Sequence, residues 1–109
     1  MNILMIDTSG PACGVAIMAD GRLVYEAELT HRQTHSQRVM PMVDTALQMS
    51  DMTAADMDVF GAVVGPGSFT GVRIGVSTVK ALAHAANKPC VAVDALEALA
   101  ANVTGFDGV

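Results

Sequence analysis
In this 109-residue chain, Gly65-Pro66-Gly67-Ser68-Phe69-Thr70-Gly71-Val72-Arg73 has the residue types best suited to holding a ligand, where an apolar run meets a helical pattern. Glycine lets the backbone take φ > 0 and come close to a ligand, and the free N–H groups of a helix start can hold an anion. The spacing departs from the familiar phosphate loops. A Walker loop ends in Gly-Lys-Ser/Thr, whereas Gly71 is followed by Val72 and Arg73. A dinucleotide fingerprint reads G-x-G-x-x-G, but Gly65, Gly67 and Gly71 give G-x-G-x-x-x-G, one residue too long. The competing reading is a tight strand-to-helix turn in which Gly71 and Gly75 bring the helix close to the sheet. The residues alone leave both open.

His31, His35 and His84 raise the question of a metal. His31 and His35 are four apart, yet they stand in a polar connection entering a helix, and no third ligand is evident. Solvated or capping histidines are the better reading, because an isolated H-x-x-x-H pair is seldom a true ligand set. No Ser/His/Asp constellation is legible.

These residues need elements to position them. Residues 2–8 form an apolar strand ending at a carboxylate, followed by a Ser9-Gly10-Pro11 turn. A hairpin follows, with arms at 13–19 and 23–29 and Asp20-Gly21 as its two-residue turn. Thr34 can cap a helix over 35–50, which Pro41 should kink. Residues 59–64 read as a buried strand, 72–87 as a second helix, 90–93 as a short strand, and 94–103 as a third helix capped by Asp94. The order βββαβαβα predicts an α/β domain: a mixed five-stranded sheet with helices packed on it and right-handed crossovers in its parallel part.

Composition bounds the function. At 51% apolar residues the chain makes a single core, and no apolar stretch approaches the ~20 residues that span a bilayer, so a cytoplasmic protein is expected. Cys13 and Cys90 lack C-x-x-C spacing and read as small buried apolar residues in a reducing compartment. A net charge of -5 offers no broad electrostatic grip on nucleic acid, so direct binding is not expected.

The helix over 35–50 is apolar over more of its surface than one sheet contact needs. Val39, Val43, Ala46 and Leu47 form a stripe at 100° per residue, with Met40 on one flank and Met42 and Met49 on the other, roughly half the circumference in all. In the second helix Val72, Gly75, Val76, Val79, Leu82, Ala83 and Ala86 make the core stripe, and Ile74, Ala81 and Ala85 lie outside it. Methionine-rich surplus faces suit adaptable partner binding, and they also suit a broad core face covered by the next element.

Asp7-Thr8-Ser9 after the first strand, the βββαβαβα order and the 65–73 loop together resemble the TsaB (YeaZ) family. His35-Ser36, Asn87-Lys88-Pro89 and Val93-Asp94-Ala95-Leu96-Glu97-Ala98-Leu99 extend the resemblance over essentially the whole chain. It implies a ribonuclease-H-like domain of the actin, sugar-kinase and Hsp70 superfamily, residues 1–109 being the first of two such domains. It further implies a non-catalytic scaffold in tRNA N6-threonylcarbamoyladenosine synthesis, partnered by a catalytic TsaD-like subunit and, in the assembled complex, a TsaE-like ATPase. TsaD holds a metal through an H-x-x-x-H motif; Ala95 and Leu99 stand at the matching positions and have no donor. No cofactor or metal is therefore expected. In kinase relatives the carboxylate matching Asp7 helps hold phosphate or its metal; here a satisfied strand-end carboxylate is the better reading, since such sites lie at domain junctions.

The same resemblance implies that the first two helices form the interface, with a symmetric homodimer when TsaD is absent. The expected interface residues are Val39, Met40, Met42, Val43, Ala46, Met49, Ile74 and Ala81. The rival functions are a nucleotide-binding module of the actin-like superfamily, which the glycine loop and Asp94 favour, and a metal-dependent glycoprotease-type enzyme.

Overall fold
The computed structural model describes residues 1–30, 35–65 and 69–94. The middle of the glycine loop, the Thr34 cap and the helix expected over 94–103, apart from Asp94, lie outside them. Strands β1 (Asn2–Asp7), β2 (Cys13–Ala19) and β3 (Arg22–Leu29) are followed by helix α1 (His35–Met49), a short 3-10 turn (Ala54–Asp56), β4 (Val59–Val63), α2 (Phe69–Ala86) and β5 (Cys90–Val93). They make one five-stranded sheet in the order β3-β2-β1-β4-β5. The hairpin strands pair antiparallel, while β1 with β4 and β4 with β5 pair parallel, which gives the mixed sheet that the sequence predicts.

Register decides which residues face the helices. Leu4 stands beside Ile17 and Phe60, and Ile6 beside Val15 and Ala62, so one face of the three central strands is continuously apolar. Val39, Val43 and Ala46 of α1 and Val79 and Ala83 of α2 close over it in a single core cluster. α1 lies over β2 and β3, and α2 over β4. Both helices thus occupy the same side.

Local chemistry fixes the ends of these elements. Asp20 and Gly21 both take φ > 0, at 54° and 78°, which produces the tight turn whose twist suits a two-residue hairpin. Asp20 Oδ1 also accepts a hydrogen bond from the Met1 ammonium at 2.7 Å. β3 carries an irregularity between the partners of Ile17 and Met18, with Tyr25 and Leu23 as their opposites and Val24 left over. α1 runs unbroken through Pro41, which lies on its exposed side. It ends where Asp51 turns left-handed, at φ 56°, and the Met52 N–H reaches back to the Leu47 carbonyl. α2 begins at Phe69, three residues before the position expected from sequence, because Gly71 sits inside its first turn rather than in the loop.

The cysteines differ from expectation. Cys13 is buried in the core, and burial pushes its thiol above the usual range, but Cys90 is exposed on β5 among the described residues. An alkylating reagent is therefore expected to label Cys90 in the native protein and Cys13 only on unfolding, since the thiolate is the nucleophile. Equal labelling of both under native conditions, read by mass spectrometry, would contradict the core placement of Cys13.

Candidate functional site
Two places bring together residues singled out in the sequence. The first is the turn after β1. Asp7 Oδ1 accepts the Ser9 N–H at 3.0 Å and the Ser9 hydroxyl at 2.6 Å, so this carboxylate is engaged by its own turn. The buried Thr8 hydroxyl donates to the Gly71 carbonyl at 2.5 Å and ties the turn to α2. His35 Nε2 lies 2.8 Å from the Gly10 carbonyl oxygen; a carbonyl only accepts, so that nitrogen carries the proton. His35 thereby ties the same turn to the start of α1.

These contacts explain the glycines. A Cβ on Gly75 would stand 2.7 Å from Thr8 Oγ1 and within van der Waals reach of Ile6 and Ala62. Only glycine lets α2 lie this close to β1 and β4. The close-packing reading of Gly75 therefore has a direct geometric basis, whereas Pro66, Gly67 and Ser68, on which the ligand reading turns, are outside the described residues.

Metal chemistry finds little support in the donor set. On the sheet face turned away from the helices, Asp7, Glu26 and Glu28 border a shallow cavity of about 240 Å³ with Met5, Gly14 and Ala16. Among the described residues, however, no three His, Cys, Asp or Glu side chains converge to hold an ion. His35 opens α1 and His84 lies in the last turn of α2, so they do not meet; His31 is outside the described residues, as are Ala95 and Leu99. Among the described residues, the donors do not assemble the set that an H-x-x-x-H metal site requires.

The second place is the groove between α1 and α2, of about 430 Å³, lined by Ser36, Val39 and Met40 from one helix and Thr70, Arg73, Ile74, Ser77 and Thr78 from the other. Its floor is apolar and its α2 rim is polar. Thr78 donates its hydroxyl back to the Ile74 carbonyl at 2.7 Å, which satisfies that group within the helix and presents its methyl instead. At the head of the groove Phe69 is 76% exposed, and the Arg73 guanidinium lies 5.8 Å from the centre of its ring.

The eight residues expected at an interface divide sharply in this geometry. Val39, Val43 and Ala46 point inward and are consumed by the domain's own core, so their burial corrects their assignment to a partner surface. Met42 packs half-buried against that core. Met40, Met49 and Ala81 are exposed, and Ile74 is half-buried along the groove. Met40 borders the groove, while Met49 falls on the opposite flank of α1, about 180° away at 100° per residue. Sequence reasoning assigns Phe69 and Arg73 to the glycine loop and counts only apolar residues within 72–87 for the helix face, whereas α2 starts at Phe69 and places these two on its outer face.

Strand order, mixed pairing and two helices on one face define a ribonuclease-H-like α/β domain of the actin, sugar-kinase and Hsp70 superfamily. The model of the family described as TsaD: tRNA N6-adenosine threonylcarbamoyltransferase matches residues 28–108, and the chain belongs to that family. Over its whole length it is 42% identical to the tRNA threonylcarbamoyladenosine biosynthesis protein TsaB of Bacillus subtilis, of which it spans 48%. It is 42% identical over 100 residues to TsaB of Escherichia coli, covering 92% of this chain and 43% of that protein. The solved structure of YeaZ from Pseudomonas aeruginosa superposes with a TM-score of 0.82 at 36% identity, over 98% of this chain and 50% of that one. The chain thus spans about half the length of the curated relatives it matches. Among the described residues no helix is long and apolar enough to cross a membrane.

Proposed function
We propose that this chain is the first of two domains of a TsaB-type scaffold subunit that supports a catalytic TsaD-type subunit in tRNA N6-threonylcarbamoyladenosine synthesis. In this reading the protein is cytoplasmic and does not catalyse the transfer. It docks on the transferase through α1 and α2, pairs with its own copy through the same face when the transferase is absent, and works beside a TsaE-type ATPase in the assembled complex. Similarity to TsaB proteins over the full chain is the observation that carries the reading. The groove between α1 and α2 and the donor-free side chains at Ala95 and Leu99 agree with it.

Reconstitution tests it. Unmodified tRNA, threonine, bicarbonate, ATP, the enzyme that makes the activated threonylcarbamoyl group and a TsaD-type transferase are combined with and without this protein. Omitting it is expected to abolish or sharply reduce modification, whereas the protein without the transferase should transfer nothing. Transfer by the protein alone, or a stoichiometric transition metal in the purified protein by elemental analysis, would overturn the non-catalytic assignment.

A further inference from the structure
Eight of the 109 residues are methionine, and the structure sorts them by access. Met18 and Met57 are buried in the core, while Met5, Met42 and Met52 are half-buried. The other three, Met1, Met40 and Met49, are exposed, at 63%, 40% and 72%. Their surroundings differ. Met1 precedes β1, and Met49 ends α1 on the flank away from the groove, whereas Met40 lines the groove with Val39, Ile74 and Thr78. A polar atom placed there would need a hydrogen-bond donor. Val39 and Ile74 have none to give in their side chains, and Thr78 spends its hydroxyl on the Ile74 carbonyl, at 2.7 Å.

From this placement, and resting on the docking role proposed above, we infer that Met40 is a reversible oxidation site: a hydroperoxide converts the free protein to a form that no longer docks, and a dithiol reductant restores it. The Met40 sulfur donates a lone pair to one oxygen of the peroxide. An S–O bond forms, the O–O bond breaks, sulfur is oxidised by two electrons, and the second oxygen leaves as water once it has taken the proton of the transferred hydroxyl. The reverse step gives the thioether, water and a disulfide from the dithiol. A thioether fills an irregular apolar contact, whereas a sulfoxide is polar and keeps its hydrogen bonds only while water reaches it. Docking removes that water and leaves the oxygen uncompensated. A sulfoxide at Met49 stays hydrated on the far flank of α1. A docked partner covers Met40, so docking and oxidation exclude one another.

The experiment treats the free protein with hydrogen peroxide, destroys the excess with catalase, and measures capture of an untreated TsaD-type transferase by sedimentation. Peptide mass mapping reports which methionines gained oxygen. The unaltered chain, Met40→Leu and Met49→Leu are each compared with their own untreated samples, and circular dichroism checks folding. Oxygen is expected at Met1, Met40 and Met49 well before Met18 and Met57. Capture should then weaken about tenfold for the unaltered chain and for Met49→Leu, and return on incubation with methionine sulfoxide reductases and dithiothreitol. Met40→Leu should hold its own starting value through the peroxide step. Bound transferase should slow oxygen uptake at Met40 and leave that at Met49 unchanged. Met40 that stays unoxidised while Met49 reacts, full conversion of Met40 with capture intact, or an equal loss in Met40→Leu overturns the inference. If Met40→Glu still abolishes capture, the docking reading survives that result; if Met40→Glu captures normally, both fall.

Discussion

Replacing Gly75 with leucine is expected to destabilise the domain by about 3 kcal/mol, the upper end of the usual cost of overpacking a close-packed contact. The cost begins at the first added carbon. A Cβ there would stand 2.7 Å from Thr8 Oγ1, and that hydroxyl is held by its bond to the Gly71 carbonyl. It cannot yield without leaving its own buried hydroxyl unpaired, itself a loss of about 1–3 kcal/mol. Gly61 provides the contrast. A Cβ at Gly61 would meet the thioether end of Met5, a flexible side chain that can move aside, so Gly61→Ala is expected to be much milder than Gly75→Ala. Denaturant unfolding followed by far-ultraviolet circular dichroism ranks the variants. Unchanged stability in Gly75→Leu together with loss of a ligand-binding activity would show that the glycine segment serves a ligand instead.

Phe60→Ala is expected to cost about 3–5 kcal/mol, by the opposite mechanism. Phe60 is fully buried on β4 between strands β1 and β5 and is the bulkiest side chain wholly inside the core. Its loss leaves a cavity between a sheet and two helices that cannot collapse without moving α2, which the Thr8 bond restrains. The same denaturation experiment reads it out. A loss below about 1 kcal/mol, the scale of a surface change, would mean that Phe60 does not hold the sheet to the helices.

The strands were legible because their signals are local. Asp20-Gly21 sets the hairpin, and apolar runs mark β1 and β4, so the order of the described elements and the mixed sheet follow without tertiary information. The start of α2 was not, because glycine in a helix is read as a breaker; here Gly75 is required by the closeness of Thr8 and the sheet, and Gly71 offers its carbonyl to the Thr8 hydroxyl. The burial of the expected interface residues was half legible. Periodicity places Val39, Val43 and Ala46 on one stripe with Met40 and Met42 at its edges, but it does not say how much of the stripe the sheet consumes. The answer is most of it, leaving Met40 beside the groove and Met49 on the far flank. Arg73 reads in the sequence as the end of the glycine loop, because its place on the groove depends on a neighbouring helix.

The central claim, that α1 and α2 carry the partner, is tested most directly by Met40→Glu set against Leu23→Glu. The two residues are similarly exposed, at 40% and 49%, so each substitution places a charge on an accessible apolar site, one beside the groove and the other on β3 of the hairpin. Both variants are expected to fold. Sedimentation with a TsaD-type transferase is expected to show capture lost, by about a hundredfold or more in affinity, for Met40→Glu alone, since burying an unpaired charge in an apolar contact costs several kcal/mol. Equal capture by the two variants, or loss with Leu23→Glu while Met40→Glu binds normally, would contradict the account.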